Sequence, residues 1–192
     1  MLITHERKKL INAIIFFAKN VKHLGKIKLF KLLYFLDFEH FKETGRSVTA
    51  LDYYAWKMGP APATLSYEID TEPEPDLKKK VRFDEEMTDH GTNMLIIKPR
   101  SAFDDSHFTK REMRIMTNLA KKYRQTLAKE IIEDTHSETL PWHKVYNEEG
   151  KNGGKIPYEY SVSQDEKENM AQVIRERNEF LEFFQSVKPE HA

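Results

Sequence analysis

The chain has 192 residues, 39% of them hydrophobic and 32% charged, with a formal net charge of zero; this supports one domain with a substantial core and gives no global electrostatic case for a nucleic-acid or membrane-surface binder. It has no cysteine, which excludes disulfides, thiolate chemistry and cysteine-based zinc sites. The zero conceals an asymmetry: residues 1–58 carry 11 Lys and Arg against 5 Asp and Glu, a net +6 balanced by −6 in the remainder, which reads either as two halves attracting each other within one fold or as a basic face for an acidic partner.

Thr4 is placed to cap a first helix over residues 5–21, with Glu6 in its first turn and Leu10, Ile14, Phe17 and Val21 on one face. Gly25 separates it from a second helix over Lys28–Lys42, the densest apolar run. There Leu29, Leu32, Leu33 and Leu36 form one stripe, and Phe30, Tyr34, Phe38 and Phe41 form another. Lys28, Lys31, Glu39 and Lys42, with Phe35 among them, are expected to make the wet face. A helix apolar on two sides is covered on two sides, so it is central or offers one stripe to a partner. Asp37 falls in the seam between the stripes, where an unpaired carboxylate is costly.

Gly45 is a C-terminal stop for this helix. Val48 to Trp56 favours extended structure, Gly59-Pro60 signals a turn, and Pro62 opens a short helix carrying Leu65 and Ile69. Glu68–Lys80, with alternating prolines and a charge run, reads as an exposed loop. Val81–Phe83 and Met94–Ile97 are predicted strands of a hairpin whose turn lies at Asp89–Asn93. Thr109 and Glu112 form a capping box for a helix through about Tyr123, with Met113, Met116, Leu119 and Ala120 inward.

A short helix over Leu127–Glu133 precedes His136–Tyr146, where Trp142 is a core anchor. Glu148–Lys155 reads as a flexible loop, and Ile156–Val162 as extended. Ser163 and Glu166 form a second capping box opening a last helix over 164–187, with Met170, Val173, Ile174, Phe180, Leu181, Phe184 and Val187 on one face. Arg177 falls within that face and is expected to pair with Asp37 or with another buried group. The apolar runs are too short and too interrupted by charge to span a bilayer, and the N-terminus lacks a signal-peptide core.

Catalytic chemistry finds little support. No G-x-S-x-G or other serine setting is present. Gly154-Lys155 is followed by Ile156, not a hydroxyl residue, and Glu149 stands where a phosphate loop needs its first glycine. None of the eight histidines falls in H-x-x-x-H or H-E-x-x-H; Asp104, Asp105 and His107 suit a helix-entry turn. The basic runs Lys78–Arg82 and Lys121–Arg124 have no interleaved base-stacking motif.

K-L-x-K-L-L-Y-F-x-D from Lys28 to Asp37, then Gly45-Arg46, then Y-x-A-W-x-x-G-P from Tyr53 to Pro60 together resemble the Panacea domain of the SocA-like antitoxins, a family frequent on prophages and other mobile elements. The likeness is strongest over 28–62 and continues more weakly to about 160, through H-S-E-T-L-P-W at His136–Trp142; Ala61 between two prolines and a longer charged segment after Ile69 depart from it. The predicted elements give one mainly helical α+β domain over 1–192 with a small antiparallel hairpin or sheet, and the residues, without cysteine or a visible active site, point to a cytoplasmic, non-enzymatic binding module without cofactor or metal. The resemblance implies an antitoxin whose partner is a cognate toxin protein. Lys31, Tyr34, Asp37, Tyr54, Trp56, Gly59, Pro60, His136 and Trp142 are the family-motif residues, expected as toxin contacts or as internal scaffold. The alternative is a prophage-encoded nucleic-acid-binding regulator or a metal-dependent enzyme; nucleic acid, membrane and small-molecule substrates are disfavoured as partners.

Overall fold

The two periodic apolar segments at the start of the chain form helices α1 (Glu6–Asn20) and α2 (Lys26–Thr44) in a computed structural model that describes residues 5–87, 93–163 and 166–186. Thr4, assigned above as the cap of α1, lies outside the described residues. Gly45 closes α2 in the left-handed conformation, φ 67°, its amide donating to the Phe41 carbonyl at 2.7 Å, as expected of a residue without a Cβ at that position. A Cβ there would lie 2.9 Å from Met170 Sδ and 3.0 Å from Ile174 Cγ1. The last helix, α8 (Lys167–Ser186), therefore seats its first half against the end of α2.

The chain then builds β1 (Tyr53–Trp56), β2 (Gly59–Pro62), α3 (Ala63–Asp70), α4 (Pro75–Lys80), β3 (Val81–Met87), β4 (Asn93–Pro99), α5 (Lys110–Lys122), α6 (Ala128–Thr135) and α7 (Pro141–His143) before α8. The fold is α+β and mainly helical, with two small antiparallel sheets of two strands each among the described residues. In the first, Tyr53 pairs with Pro62 and Trp56 with Gly59. In the second, Val81 pairs with Pro99 and Met87 with Asn93; its expected turn at Asp89–Asn93 falls mostly outside the described residues. Ile97 N donates to the Leu24 carbonyl at 2.9 Å, tying β4 to the α1–α2 turn.

Helix α2 is the centre of the core, but its expected wet face is only partly wet. Lys28, Lys31 and Phe35 are buried, while Glu39 and Lys42 are exposed. Helices α5 and α6 and strand β2 pack against it on the third side. Lys28 tolerates burial because its ammonium donates to the carbonyls of Lys22 (3.1 Å) and Thr126 (2.6 Å), which offset lost hydration. The aromatic stripe is core: Phe38 and Phe41 stack on Tyr158 at 4.5 and 5.2 Å between ring centroids, and Tyr34 and Phe38 meet Tyr53. Its cover is therefore the β1 hairpin and the Tyr158 turn.

Four further segments differ from expectation. Gly59-Pro60 is not the turn but the start of β2, the turn being Lys57-Met58. Glu68–Lys80 is not a free loop: α3 extends to Asp70, Pro75 opens α4 at its first turn, and Leu77 is fully buried. Arg7 pins both ends of the segment, contacting Glu68 at 2.6 Å and Asp76 at 2.7 Å. Residues 153–156 lie along β1, with Ala55 N donating to Gly154 O and Ile156 N to Tyr53 O, both at 2.8 Å. Tyr158–Ser161 forms a 3-10 turn rather than an extended run.

The capping box at Thr109 is formed as expected, with Thr109 N donating to Glu112 Oε2 at 2.7 Å and Glu112 N to Thr109 Oγ1 at 3.2 Å. At Ser163 the hydroxyl instead donates to the Glu166 carboxylate at 2.7 Å.

Asp37 does not need Arg177, whose side chain lies outside the described part of α8. Its carboxylate is fully buried and accepts from Val48 N (2.7 Å), Thr49 N (2.8 Å), Thr49 Oγ1 and Tyr53 Oη (2.8 Å). Burial pushes this carboxyl up to about 6, against the pull of those donors, the Thr49 hydroxyl foremost. Asp37→Ala leaves four donors without an acceptor and is expected to cost at least about 3 kcal/mol in denaturant unfolding. Asp37→Asn keeps one acceptor for the two amides and is expected to cost about 1–2 kcal/mol. The native carboxyl binds more protons than an unfolded one between 3.8 and about 6. Wild type is therefore expected to lose stability relative to Asp37→Asn as pH rises across that window and to hold a constant difference above it. An unchanged melting temperature for Asp37→Ala would remove the carboxylate from this role.

Candidate functional site

The segment held by Asp37 leads directly into β1, so the carboxylate decides where the first hairpin lies. Tyr53 and Ala55 are fully buried, while Tyr54 is half-buried and Trp56 is 39% exposed, the alternation of a strand with one face on the core. Strand β2 is buried along its length against α2.

Under the hairpin, Lys31 of α2 is 2% exposed and donates from Nζ to the Pro60 carbonyl at 2.8 Å. Gly59 has φ 90°, and a Cβ on it would fall 2.8 Å from both Lys31 Nζ and Thr135 Oγ1. The ammonium and the hydroxyl therefore pack so closely on this position that any Cβ would clash with both, and the positive φ favours glycine as well. Thr135 Oγ1 donates its own proton to the Ile132 carbonyl at 2.7 Å.

His136, at the end of α6, stacks on Trp142 with 3.8 Å between ring centroids, and Trp142 stacks on Tyr146 at 4.7 Å. Trp142 is buried and its Nε1 donates to the Trp56 carbonyl at 3.0 Å. This bond joins the hairpin to the corner between α6 and α7. Tyr146 lies on a single π turn, Lys144–Glu148, that follows α7 directly; such insertions re-aim side chains and recur at functional sites.

The electrostatics here are unusual for a core. Burial pushes the Lys31 ammonium down to about 7, and among the described residues no carboxylate is recorded in an ion pair with it. His136 is also lowered, first by burial and then by Lys31. Burial raises the Tyr34 phenol. Tyr34 Oη and His136 Nε2 are both buried without a hydrogen-bond partner; the Trp142 backbone approaches the phenol closely enough to temper its shift but not to bond it. Buried polar atoms without partners are rare in folded chains.

Of the nine motif residues, Lys31, Tyr34, Trp56, Gly59, Pro60, His136 and Trp142 thus gather at one hairpin–helix junction. Asp37 stands apart and fixes the approach to it. Tyr54 shares the outward face of β1 with Trp56, and its backbone bridges to Lys155. Sequence reasoning missed Thr135, Tyr146 and the Asp37 donors Thr49 and Tyr53. Thr135 sits beside a singled-out histidine but carries no motif signal, and two of the four donors to Asp37 are backbone amides that any residue supplies. Among the described residues, no group of three or more His, Asp or Glu is arranged to hold a metal ion, and no helix is long and apolar enough to cross a membrane.

Lys31→Met keeps the side chain's reach while deleting a buried, single-acceptor cation, a change that is often stabilising. It is expected to raise stability by about 1–3 kcal/mol near pH 7. The unfolded lysine holds its proton up to about 10.5 and the folded one only to about 7, so wild type gains stability as pH rises through that window and the advantage of the variant shrinks. Thermal unfolding from pH 6 to pH 10 reads this directly, and a pH-independent difference would contradict it.

No curated protein and no solved structure gives a match to this chain. A family profile described as "Antitoxin SocA-like, Panacea domain" matches residues 29–143, a span that opens in α2 and closes at the end of α7, enclosing the hairpin–helix junction from Lys31 to Trp142. The chain belongs to the SocA-like antitoxin family and carries its Panacea domain.

Proposed function

We propose that this chain is the antitoxin of a toxin–antitoxin pair and neutralises the protein product of an adjacent reading frame by binding it directly. The observation that carries the reading is the family match across 29–143. The junction supports a binding role. Trp56 and Met58, 39% and 54% exposed, sit at the tip of a hairpin whose base is anchored by the Trp142–Trp56 hydrogen bond and the buried Lys31–Pro60 contact. Aromatic and thioether side chains held on a rigid support supply contact area at low ordering cost, which is the character of binding hot spots. A complex would place this tip over the toxin's active site or over the surface its target engages. Cytoplasmic residence follows from that partner.

The test is co-expression with the neighbouring reading frame, followed by growth and pull-down. Rescue of growth together with a stable complex is the expected result. A harmless neighbour, or rescue without any complex, overturns direct neutralisation. Within the complex, Trp56→Ala is expected to weaken binding at least tenfold, about 1.4 kcal/mol. Its melting temperature should be nearly unchanged, because the anchoring bond to Trp142 uses the Trp56 carbonyl and survives the truncation.

A further inference from the structure

Two titratable side chains, one turn apart on α2, hold the segment that joins this helix to β1. Asp37 takes its far end, accepting from Val48 N, Thr49 N, Thr49 Oγ1 and Tyr53 Oη. His40 takes its near end, with Nδ1 lying 2.7 Å from the Arg46 carbonyl. Both side chains are buried. A carbonyl only accepts, so Nδ1 carries the ring proton and donates it. In the neutral ring Nε2 is then a bare acceptor, and it stands 3.9 Å from another acceptor, Glu112 Oε1. Glu112 is itself buried and is bonded to Lys9 Nζ at 2.6 Å and to Thr109 N at 2.7 Å.

The two ends of the segment answer a proton in opposite ways. On Asp37 an added proton meets four donors already aimed at the carboxylate, so one contact is lost or the Thr49 or Tyr53 hydroxyl turns round to accept. On His40 a proton makes Nε2 a donor. It converts the acceptor–acceptor approach to Glu112 into an ion pair and makes the bond to Arg46 charge-assisted. The neighbouring charges suit this exchange. Against its burial, Lys9 and the Thr109 amide hold Glu112 below the usual carboxylate range, so it stays anionic in mild acid. Burial lowers His40; the Arg46 carbonyl and Glu112 oppose that shift, and the Arg46 and Lys9 charges add to it. Tyr53 faces Asp37 from β1 and Tyr158 from the 3-10 turn, and burial first, then that carboxylate, raises both phenols, so both stay neutral.

We propose that residues 46–49 form a pH-operated strap: acidification transfers its hold from Asp37 to His40, and the start of β1, with the Trp56–Met58 hairpin tip beyond it, shifts relative to α2. Strand β1 begins at Tyr53, itself a donor to Asp37, and ends at Trp56, so a change at the carboxylate reaches the tip through four residues of one strand. This goes beyond the antitoxin reading, since it adds a conformational control that is a property of the chain itself.

The test follows the full-length chain by NMR from pH 7 to pH 5. In wild type the Val48 and Thr49 amides are expected to titrate together with a midpoint of about 6. The Ala55 amide, which donates to Gly154 O from within β1, is expected to follow with the same midpoint. An Ala55 resonance that stays put while Val48 and Thr49 move overturns the proposal, because the strap would then not carry the hairpin. Asp37→Asn is expected to abolish all three transitions; an unchanged Ala55 transition in that variant assigns the motion to another group and also overturns it. Should the asparagine variant not fold, Tyr53→Phe, which removes one donor and keeps the carboxylate, is expected to raise the common midpoint, and an unshifted midpoint has the same force. The His40 ring nitrogens supply the second half of the test. Nδ1 alone is expected to carry a proton at pH 7, and both nitrogens at the acid end of the titration; a ring that stays neutral until the chain unfolds overturns the transfer. Both readouts are of this chain alone, so they decide the strap whatever the outcome of co-expression.

Discussion

The carboxylate of Asp37 organises everything that follows it in this chain. A charge with no exposure is tolerable only when its lone pairs are occupied, and here two amides and two hydroxyls occupy them. All four donors come from residues 48–53, so meeting the demand of one side chain draws that segment onto the central helix. The consequence is positional: β1 starts at Tyr53, itself one of the donors, and the hairpin is laid across α2 in one place. Tyr53 then closes over Tyr34 and Phe38, and Tyr158 stacks on Phe38 and Phe41. A polar constraint thus fixes how an aromatic layer packs, which a purely apolar seam would specify less sharply.

The junction beneath the hairpin shows the opposite arrangement. Around Asp37 each hydrogen-bonding demand is met; around Lys31 several are not. The two sites lie within six residues of each other on one helix, so the difference is not one of local flexibility or fold quality. It arises because Asp37 faces a segment rich in free amides, whereas Lys31, which can only donate, meets one acceptor among the described residues, the Pro60 carbonyl, beside a glycine that supplies no side chain.

Much of the fold was legible in the sequence because it is encoded locally. Helical spacing located α1 and α2, the Thr109–Glu112 pair located the start of α5, and apolar runs located β3 and β4. What was not legible depended on distant partners. Lys28, Lys31 and Phe35 look like a wet face because helical periodicity says nothing about α5, α6 and β2 packing on the third side. Glu68–Lys80 looks like a loop until Arg7, some sixty residues earlier, supplies the charge that holds it. Glu148–Lys155 reads as a flexible glycine-rich stretch until the open edge of β1 recruits its backbone. At the candidate site, the motif residues were visible as a set, but their division into scaffold and rim was not, because exposure separates Trp56 from Trp142 and spacing does not.

The prolines of β2 carry a consequence for how this surface is approached. Pro60 and Pro62 alternate along the strand, so both fall on the same side of it, and neither has an N–H to offer. The amides of Gly59 and Ala61 serve the ladder with β1, leaving the outer border of the hairpin without donors. The other border, along β1, is already occupied by residues 153–156. A foreign chain therefore cannot extend this sheet by adding a strand, and a second copy cannot stack onto it edge to edge. The hairpin can expose a tryptophan and a methionine at its tip without becoming a template for aggregation, and whatever docks there is read through side chains.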